Sequence, residues 1–109
     1  MYECMTISRE ELLRRIKSCI LEIEPDAEII LYGSQARGDA REESDWDFLI
    51  LLNHPVARKG MDAIRDKIYT EVEWDAGAVL SSIIRFRQDW QTMSVSPFYQ
   101  NVMREGTRV

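Results

Sequence analysis

The sequence predicts an α/β (α+β) domain in which a small mixed β-sheet is flanked by helices. Two apolar runs of strand length, Glu28–Tyr32 and Trp46–Leu52, are separated by a turn and a charged loop, and an amphipathic helix precedes them. A chain of 109 residues can bury one hydrophobic core but has no room for a separate substrate lobe. We therefore expect a single domain over residues 1–109.

The first helix is predicted over Thr6–Glu24. Ser8 and Glu11 have the spacing of a capping box, and Pro25 ends the segment. Apolar residues recur at helical spacing and form one face, which we expect to pack on the sheet. That face contains Leu12, Ile16, Cys19, Ile20 and Ile23.

The bend after the first strand is suited to bind an anion. The strand Glu28–Tyr32 stops at Gly33 and Ser34, whose small size lets backbone amides approach an anion closely. Gln35–Arg37 is predicted to open a short helix, with Ser34 as its cap and its first amides facing the same anion, and Gly38 ends it. Taken alone, the glycine and serine favour an ordinary strand-ending turn, and it is their combination with the acid pair that favours phosphate binding.

Two acids stand at the start of the second strand. A charged loop, Asp39–Ser44, leads to Asp45 and Asp47, and the strand Trp46–Leu52 is apolar enough to be buried on both faces. Because residues two apart in a strand share a face, these carboxylates should lie side by side. They would repel unless they share a proton, water screens them or a hard divalent cation neutralises them. Since Mg²⁺ prefers oxygen ligands together with substrate phosphates, we predict a magnesium site for one or two ions.

The following segment is predicted to complete the sheet. Val56 to about Tyr69 reads as a second helix after the break at residues 53–55. Thr70–Trp74 alternates in strand fashion, Asp75 to Gly77 supplies a turn, and Ala78–Phe86 follows as another strand. These features predict a β-hairpin.

The C-terminal part contains a turn around Asp89 and a final helix. Ser96 is the expected cap, Pro97 the first helical residue, and the helix continues over Phe98–Glu105 to Gly106. The apolar side chains of this part indicate either a helix docked on the sheet or an exposed patch for a partner. They are Trp90, Phe98, Tyr99 and Val102.

The central motif resembles that of the DNA polymerase beta-like nucleotidyltransferases. Gly33-Ser34, Arg37-Gly38 and Ser44 to Asp47 occur in order before an apolar strand. More narrowly, the motif is similar to that of the minimal nucleotidyltransferases of prokaryotes, small single domains that often accompany a helical partner protein encoded nearby. The resemblance implies the nucleotidyltransferase fold, with Gly33 and Ser34 at the terminal phosphates of ATP or another nucleoside triphosphate and Asp45 and Asp47 at two metal ions.

Arg37 has two possible roles. Its guanidinium is a candidate phosphate contact, because it could offset the triphosphate charge through bidentate hydrogen bonds. It could equally hold its own loop by pairing with Asp39 or Glu43.

The third carboxylate of the family pattern is not evident. Family members that catalyse usually carry it on a later strand, where this chain has Ser81 and Ser82. Glu71 and Glu73 could substitute for it if the strand predicted over Thr70–Trp74 runs beside the strand of Asp47. If the absent group acts as general base, its loss would reduce catalysis by on the order of 10² to 10⁴.

Composition narrows the class of protein. A formal charge of -5 disfavours sequence-independent binding to nucleic acid. Cys4 and Cys19 lack metal-ligand spacing, and we find neither an apolar signal segment nor a run long enough to cross a membrane. These observations favour a cytoplasmic protein.

Two functions of different class follow from the resemblance. The first is transfer of a nucleoside monophosphate, expected to be AMP, to a hydroxyl on a partner protein. The second is a catalytically weak or inactive module of the same fold, which acts as an antitoxin-like partner by covering a helical protein. A third possibility is a small stable domain whose site is vestigial.

Overall fold

The protein is built on a four-stranded mixed sheet. The structure, a computed structural model, describes residues 8–38 and 45–109. The strands are β1 (Glu28–Tyr32), β2 (Trp46–Leu52), β3 (Leu80–Phe86) and β4 (Thr107–Arg108), in the spatial order β3-β2-β1-β4. β1 pairs with β2 and β4 in antiparallel fashion, whereas β2 and β3 are parallel. The prediction of a mixed sheet is therefore confirmed, and β1 and β2 have the predicted bounds.

Helix α1 (Arg9–Ile23) begins at the predicted cap. The Ser8 hydroxyl accepts a hydrogen bond from the Glu11 N–H at 3.0 Å, whereas the Glu11 carboxylate pairs with Arg14 and Arg15. Ile23, which the periodicity assigned to the buried face, is 42% exposed because the helix ends there. The predicted first residues, Thr6 and Ile7, lie outside the described residues.

Both faces of β2 are covered, as predicted. One face joins α1 and helix α3 (Arg58–Ile68) in the main hydrophobic cluster, to which β2 contributes Phe48, Ile50 and Leu52. The opposite face belongs to a second cluster, formed by Ile30, Leu49, Leu51, Trp90 and Val102. Because side chains alternate along the strand, Asp47 lies on the face of this second cluster.

The prediction of a strand over Thr70–Trp74 is wrong. Helix α3 continues through a π-helical segment (Tyr69–Glu73) into a short helix α4 (Trp74–Ala76). Ile64, Ile68 and Val72 are buried at intervals of four residues, and this helical stripe outweighs the local alternation of polar and apolar residues.

The predicted hairpin is therefore also wrong. β3 forms over Leu80–Phe86, within the predicted strand Ala78–Phe86, but it pairs with β2 in parallel. A parallel pair needs a long crossover rather than a tight turn, and the helices from α3 to α4 supply it.

The C-terminal part is docked on the sheet. Helices α5 (Arg87–Gln91) and α6 (Pro97–Glu105) bring Trp90 and Val102 into the second cluster, at 2% and 1% exposure. Ser96 caps α6 as predicted, by accepting from the Tyr99 N–H. The docked alternative is thus the observed one, although Phe98 and Met103 keep 37% and 52% exposure.

Strand β4 was not predicted. Its two residues pair with Leu31 and Ile30 at the edge of β1. No helix in the described ranges has the length and apolar character needed to span a membrane.

Candidate functional site

The predicted phosphate bend and the predicted acid pair meet at one end of the sheet. β1 and β2 are antiparallel and their register pairs Tyr32 with Asp47. The residue after Tyr32 therefore lies beside the first residues of β2. The sequence suggested this proximity, and the strand register produces it.

Gly33 touches Asp47 in a way that only a glycine permits. Its φ of +77° and ψ of -159° lie in a region that side-chain-bearing residues rarely adopt. A Cβ atom built on Gly33 would lie 2.5 Å from Asp47 Oδ2. The backbone of the bend is thus in direct contact with the carboxylate.

The short helix predicted after the bend is present. Helix α2 (Ser34–Arg37) begins after Gly33, whose carbonyl accepts hydrogen bonds from Ala36 and Arg37. Gly33 takes the capping position that was predicted for Ser34, because its backbone, with a positive φ, turns the chain into the helix. With four residues, α2 has little dipole, so an anion here would depend on the local amides and on Ser34.

Electrostatics couple the two acids. Burial raises the pKa of Asp47, the charge of neighbouring Asp45 raises it further, and Arg37 opposes both effects. Asp45 itself is exposed just before β2. A half-buried carboxylate beside a second carboxylate would be stabilised by a cation, so the pair has the donor chemistry that Mg²⁺ requires.

Arg37 is tied to the C-terminal helix. Its Nη1 donates to Glu105 Oε1 at 3.1 Å, and the Glu105 side chain is 20% exposed. This contact joins the segment after the Gly33-Ser34 bend to α6. The alternative partners Asp39 and Glu43 lie outside the described residues, and the phosphate contact stays a prediction.

Tyr32 belongs to the same surface, although the motif did not single it out. It stands opposite Asp47, and its ring makes an edge contact with Phe98 of α6 at a centroid distance of 5.6 Å. Burial raises the pKa of Tyr32, and the Asp47 charge adds to the shift. The sequence offered one signal that Tyr32 lies at the site, because it is the last residue of an apolar strand and directly precedes Gly33.

Comparison with known proteins identifies the family. The profile described as "Nucleotidyltransferase domain" matches residues 13–98, which include every described element from the middle of α1 to the start of α6. The chain belongs to the nucleotidyltransferase domain family. One relative from Methanocaldococcus jannaschii, provisionally named protein adenylyltransferase MJ0604, is 36% identical over 78 residues, which are 72% of each chain.

Two solved structures share the nucleotidyltransferase fold. A crystal structure of a toxin-antitoxin with AMP-PNP matches with a TM-score of 0.59 at 17% identity, over 93% of this chain and 72% of that one. A mutant of the toxin-antitoxin MntA-HpeT matches with a TM-score of 0.58 at 15% identity, over 95% and 72%. These likenesses confirm the predicted fold.

The nucleotidyltransferase domain has a serine where the third carboxylate was sought. In the parallel register Asp47 pairs with Ser81, so β3 places a hydroxyl beside the acid. Glu71 and Glu73 cannot substitute as the sequence suggested, because both lie on the π-helical segment: Glu71 pairs with Lys67 and Glu73 binds the Leu80 N–H. Within residues 8–38 and 45–109, no three His, Cys, Asp or Glu side chains are grouped to hold a metal.

Proposed function

We propose that this nucleotidyltransferase domain binds a magnesium nucleoside triphosphate between the Gly33-Ser34 bend and the Asp45-Asp47 pair. The observation that carries the proposal is the contact of Gly33 with the Asp47 carboxylate, where a Cβ atom would come within 2.5 Å. When a phosphate-binding bend and a metal ligand are in contact, the bend can hold the phosphates while the acid holds the metal ion bound to the same triphosphate.

The residues present fit the group. Asp45 and Asp47 offer hard oxygen ligands, and the raised pKa of Asp47 marks a site where added positive charge is favourable. Gly33 and Ser34 would receive the terminal phosphates through backbone amides and the serine hydroxyl. Arg37, whose positive charge acts to lower the pKa of Asp47, would add a guanidinium donor to the phosphates.

The proposed reaction transfers a nucleoside monophosphate. An acceptor hydroxyl oxygen forms a bond to the α-phosphorus, the bond to pyrophosphate breaks, and the hydroxyl proton passes to solvent. Magnesium held by Asp45 and Asp47 would supply charge stabilisation at the leaving pyrophosphate. The bend keeps the β- and γ-phosphates in place, so that the α-phosphorus faces the acceptor.

ATP is the proposed donor and a protein hydroxyl the proposed acceptor. The relative named a protein adenylyltransferase supports the transfer of AMP to protein. The toxin-antitoxin structure with AMP-PNP, an ATP analogue, supports an adenine nucleotide and a partner protein. That this partner is helical and encoded nearby rests on the resemblance to the minimal nucleotidyltransferases. We place this single domain in the cytoplasm, where nucleoside triphosphates are available.

A second function is favoured by a specific observation. Ser81 stands beside Asp47 in place of a third carboxylate, so the acceptor hydroxyl lacks the group that helps to activate it. A domain of this kind could keep nucleotide binding and act by covering its partner, as an antitoxin-like module without turnover.

Labelled ATP separates the two functions. The domain is incubated with labelled ATP, Mg²⁺ or Mn²⁺ and the purified protein encoded beside it, and calorimetry with ATP and metal measures binding. Asp45→Asn and Asp47→Asn test the site, and Asp26→Asn is the matched control, because Asp26 is exposed at the opposite end of β1.

Each result has a defined meaning. Label on the partner that disappears in Asp45→Asn and Asp47→Asn, but not in Asp26→Asn, supports the transferase. A tight complex that carries no label supports the binding module. Failure to bind ATP with either metal would refute the nucleotide site itself.

A further inference from the structure

The start of β3 is held by a side chain outside the acid pair. The Leu80 N–H donates a hydrogen bond to Glu73 Oε1 at 2.6 Å, across the turn between α4 and β3. Glu73 is half-buried, whereas Glu71 is exposed and pairs with Lys67. Glu73 therefore connects the end of the π-helical segment to the first residue of β3.

The residue before Leu80 supports the acid pair. The Val79 carbonyl accepts a hydrogen bond from the Trp46 N–H at 2.9 Å. Trp46 is the residue between Asp45 and Asp47, so this bond holds the backbone that separates the two carboxylates. The position of the start of β3 thus determines how firmly that backbone is held.

We propose that Glu73 is a positioning residue for the Asp45-Asp47 pair. Its carboxylate holds Leu80, and Val79 in turn holds the backbone between the two acids. The proposal rests on the function proposed above, and it assigns Glu73 a role other than the metal ligand considered from the sequence. The role requires an acceptor oxygen but does not require a charge. Glutamine at position 73 should therefore preserve the role, whereas alanine should abolish it.

Protection of the sheet edge is the competing explanation. β3 is an edge strand, and Arg65 also satisfies its outer backbone, with Nε and Nη2 both donating to the Ser82 carbonyl at 3.4 Å. Side chains of this kind discourage pairing with another chain. Arg65 is a matched control, because it binds the same edge two residues beyond Leu80 and away from the bond between Val79 and Trp46.

The experiment compares Glu73→Ala, Glu73→Gln and Arg65→Ala with the unmodified domain. Amide hydrogen exchange measures how fast the Trp46 and Leu80 N–H groups exchange with solvent. Calorimetry measures the affinity for ATP with Mg²⁺, and denaturant unfolding measures global stability. We expect Glu73→Ala to speed exchange at Trp46 and weaken Mg-ATP binding, each by on the order of tenfold. Glu73→Gln should lose clearly less than Glu73→Ala, since the amide oxygen still accepts from the Leu80 N–H, although a bond to a neutral acceptor is about half as strong as one to a carboxylate.

Three results would overturn the proposal. They are unchanged Trp46 exchange in Glu73→Ala, a loss in Glu73→Gln as large as in Glu73→Ala, or an equal loss in Arg65→Ala. Should Glu73→Ala not fold, Glu73→Asp replaces it, because the shorter side chain withdraws the acceptor from Leu80. If the unmodified domain does not bind Mg-ATP, the proposed function fails, whereas exchange at Trp46 still decides whether Glu73 positions the strand.

Discussion

Replacement of Gly33 by alanine tests the contact on which the site depends. The new Cβ would lie 2.5 Å from Asp47 Oδ2, whereas ordinary van der Waals contact begins at 3.4 Å. The carboxylate or the bend must therefore move by roughly 1 Å, and a displacement of that size can cost a reaction on the order of 10² in rate. The backbone conformation adds about 1–3 kcal/mol, because it is one that alanine rarely adopts.

Gly38→Ala is the matched control for this variant. Gly38 also has a positive φ, of +83°, but a Cβ there would meet nothing within 4 Å. We expect Gly38→Ala to lose about 1–2 kcal/mol of stability from the left-handed backbone. Its affinity for Mg-ATP should stay close to that of the unmodified domain.

Thermal unfolding and calorimetry with Mg-ATP separate the two effects. At about 4–8 °C per kcal/mol, the backbone cost alone lowers the melting temperature of either variant by several degrees. A specific loss of Mg-ATP affinity and of label transfer should appear in Gly33→Ala alone. Unchanged nucleotide affinity in Gly33→Ala, or an equal loss in Gly38→Ala, would refute the reasoning that the bend and Asp47 form one site.

Two further predictions concern β3 and β1. Ser81→Asp would place a carboxylate beside Asp47. If this carboxylate acts as general base, the rate of label transfer should rise by on the order of 10² or more. An unchanged rate in a variant that still binds Mg-ATP would contradict the proposal that the missing third carboxylate weakens turnover. Burial acts to raise the pKa of Glu28, but hydrogen bonds from Arg87 and Arg108 outweigh it and hold that pKa below its ordinary value of 4.5. The stability that ionised Glu28 contributes is therefore full above pH 4.5 and is lost as the pH falls through the lowered pKa. Glu28→Gln should lower the free energy of unfolding by on the order of 1 kcal/mol at neutral pH and should flatten its fall on acidification. Denaturant unfolding at several pH values measures both effects. If the free energy of unfolding falls as steeply as in the unmodified domain, other groups cause the fall.

Local pattern was sufficient for several elements. Ser8 capped α1, Ser96 and Pro97 began α6, and both β1 and β2 formed over their predicted residues. Each of these signals depends on side chains within one turn of a helix or along one strand, so neighbouring residues are enough to determine them. The separation of Gly33-Ser34 from Asp45 and Asp47 likewise allowed the site to be predicted from one motif.

A competing helical repeat and long-range pairing decided what the predicted pattern missed. Thr70–Trp74 alternates like a strand, but Val72 lies four residues after the buried Ile68 and continues the buried stripe of α3. β4 contains two residues, too few for a period, and forms because α6 returns the chain to the free edge of β1. The contact between Arg37 and Glu105 likewise joins residues far apart in sequence.

The sequence by itself determined which residues could form a phosphate bend and an acid pair, because these depend on residue type and on spacing along one short segment. Only the tertiary structure decided that Gly33 touches Asp47, that Ser81 stands beside it and that Glu73 binds the start of β3. The first two relations depend on the register between β1, β2 and β3, and the third depends on how the turn between α4 and β3 closes. Packing against both faces of the sheet sets that register, because a slip of one residue would turn the buried side chains of a strand to the other face.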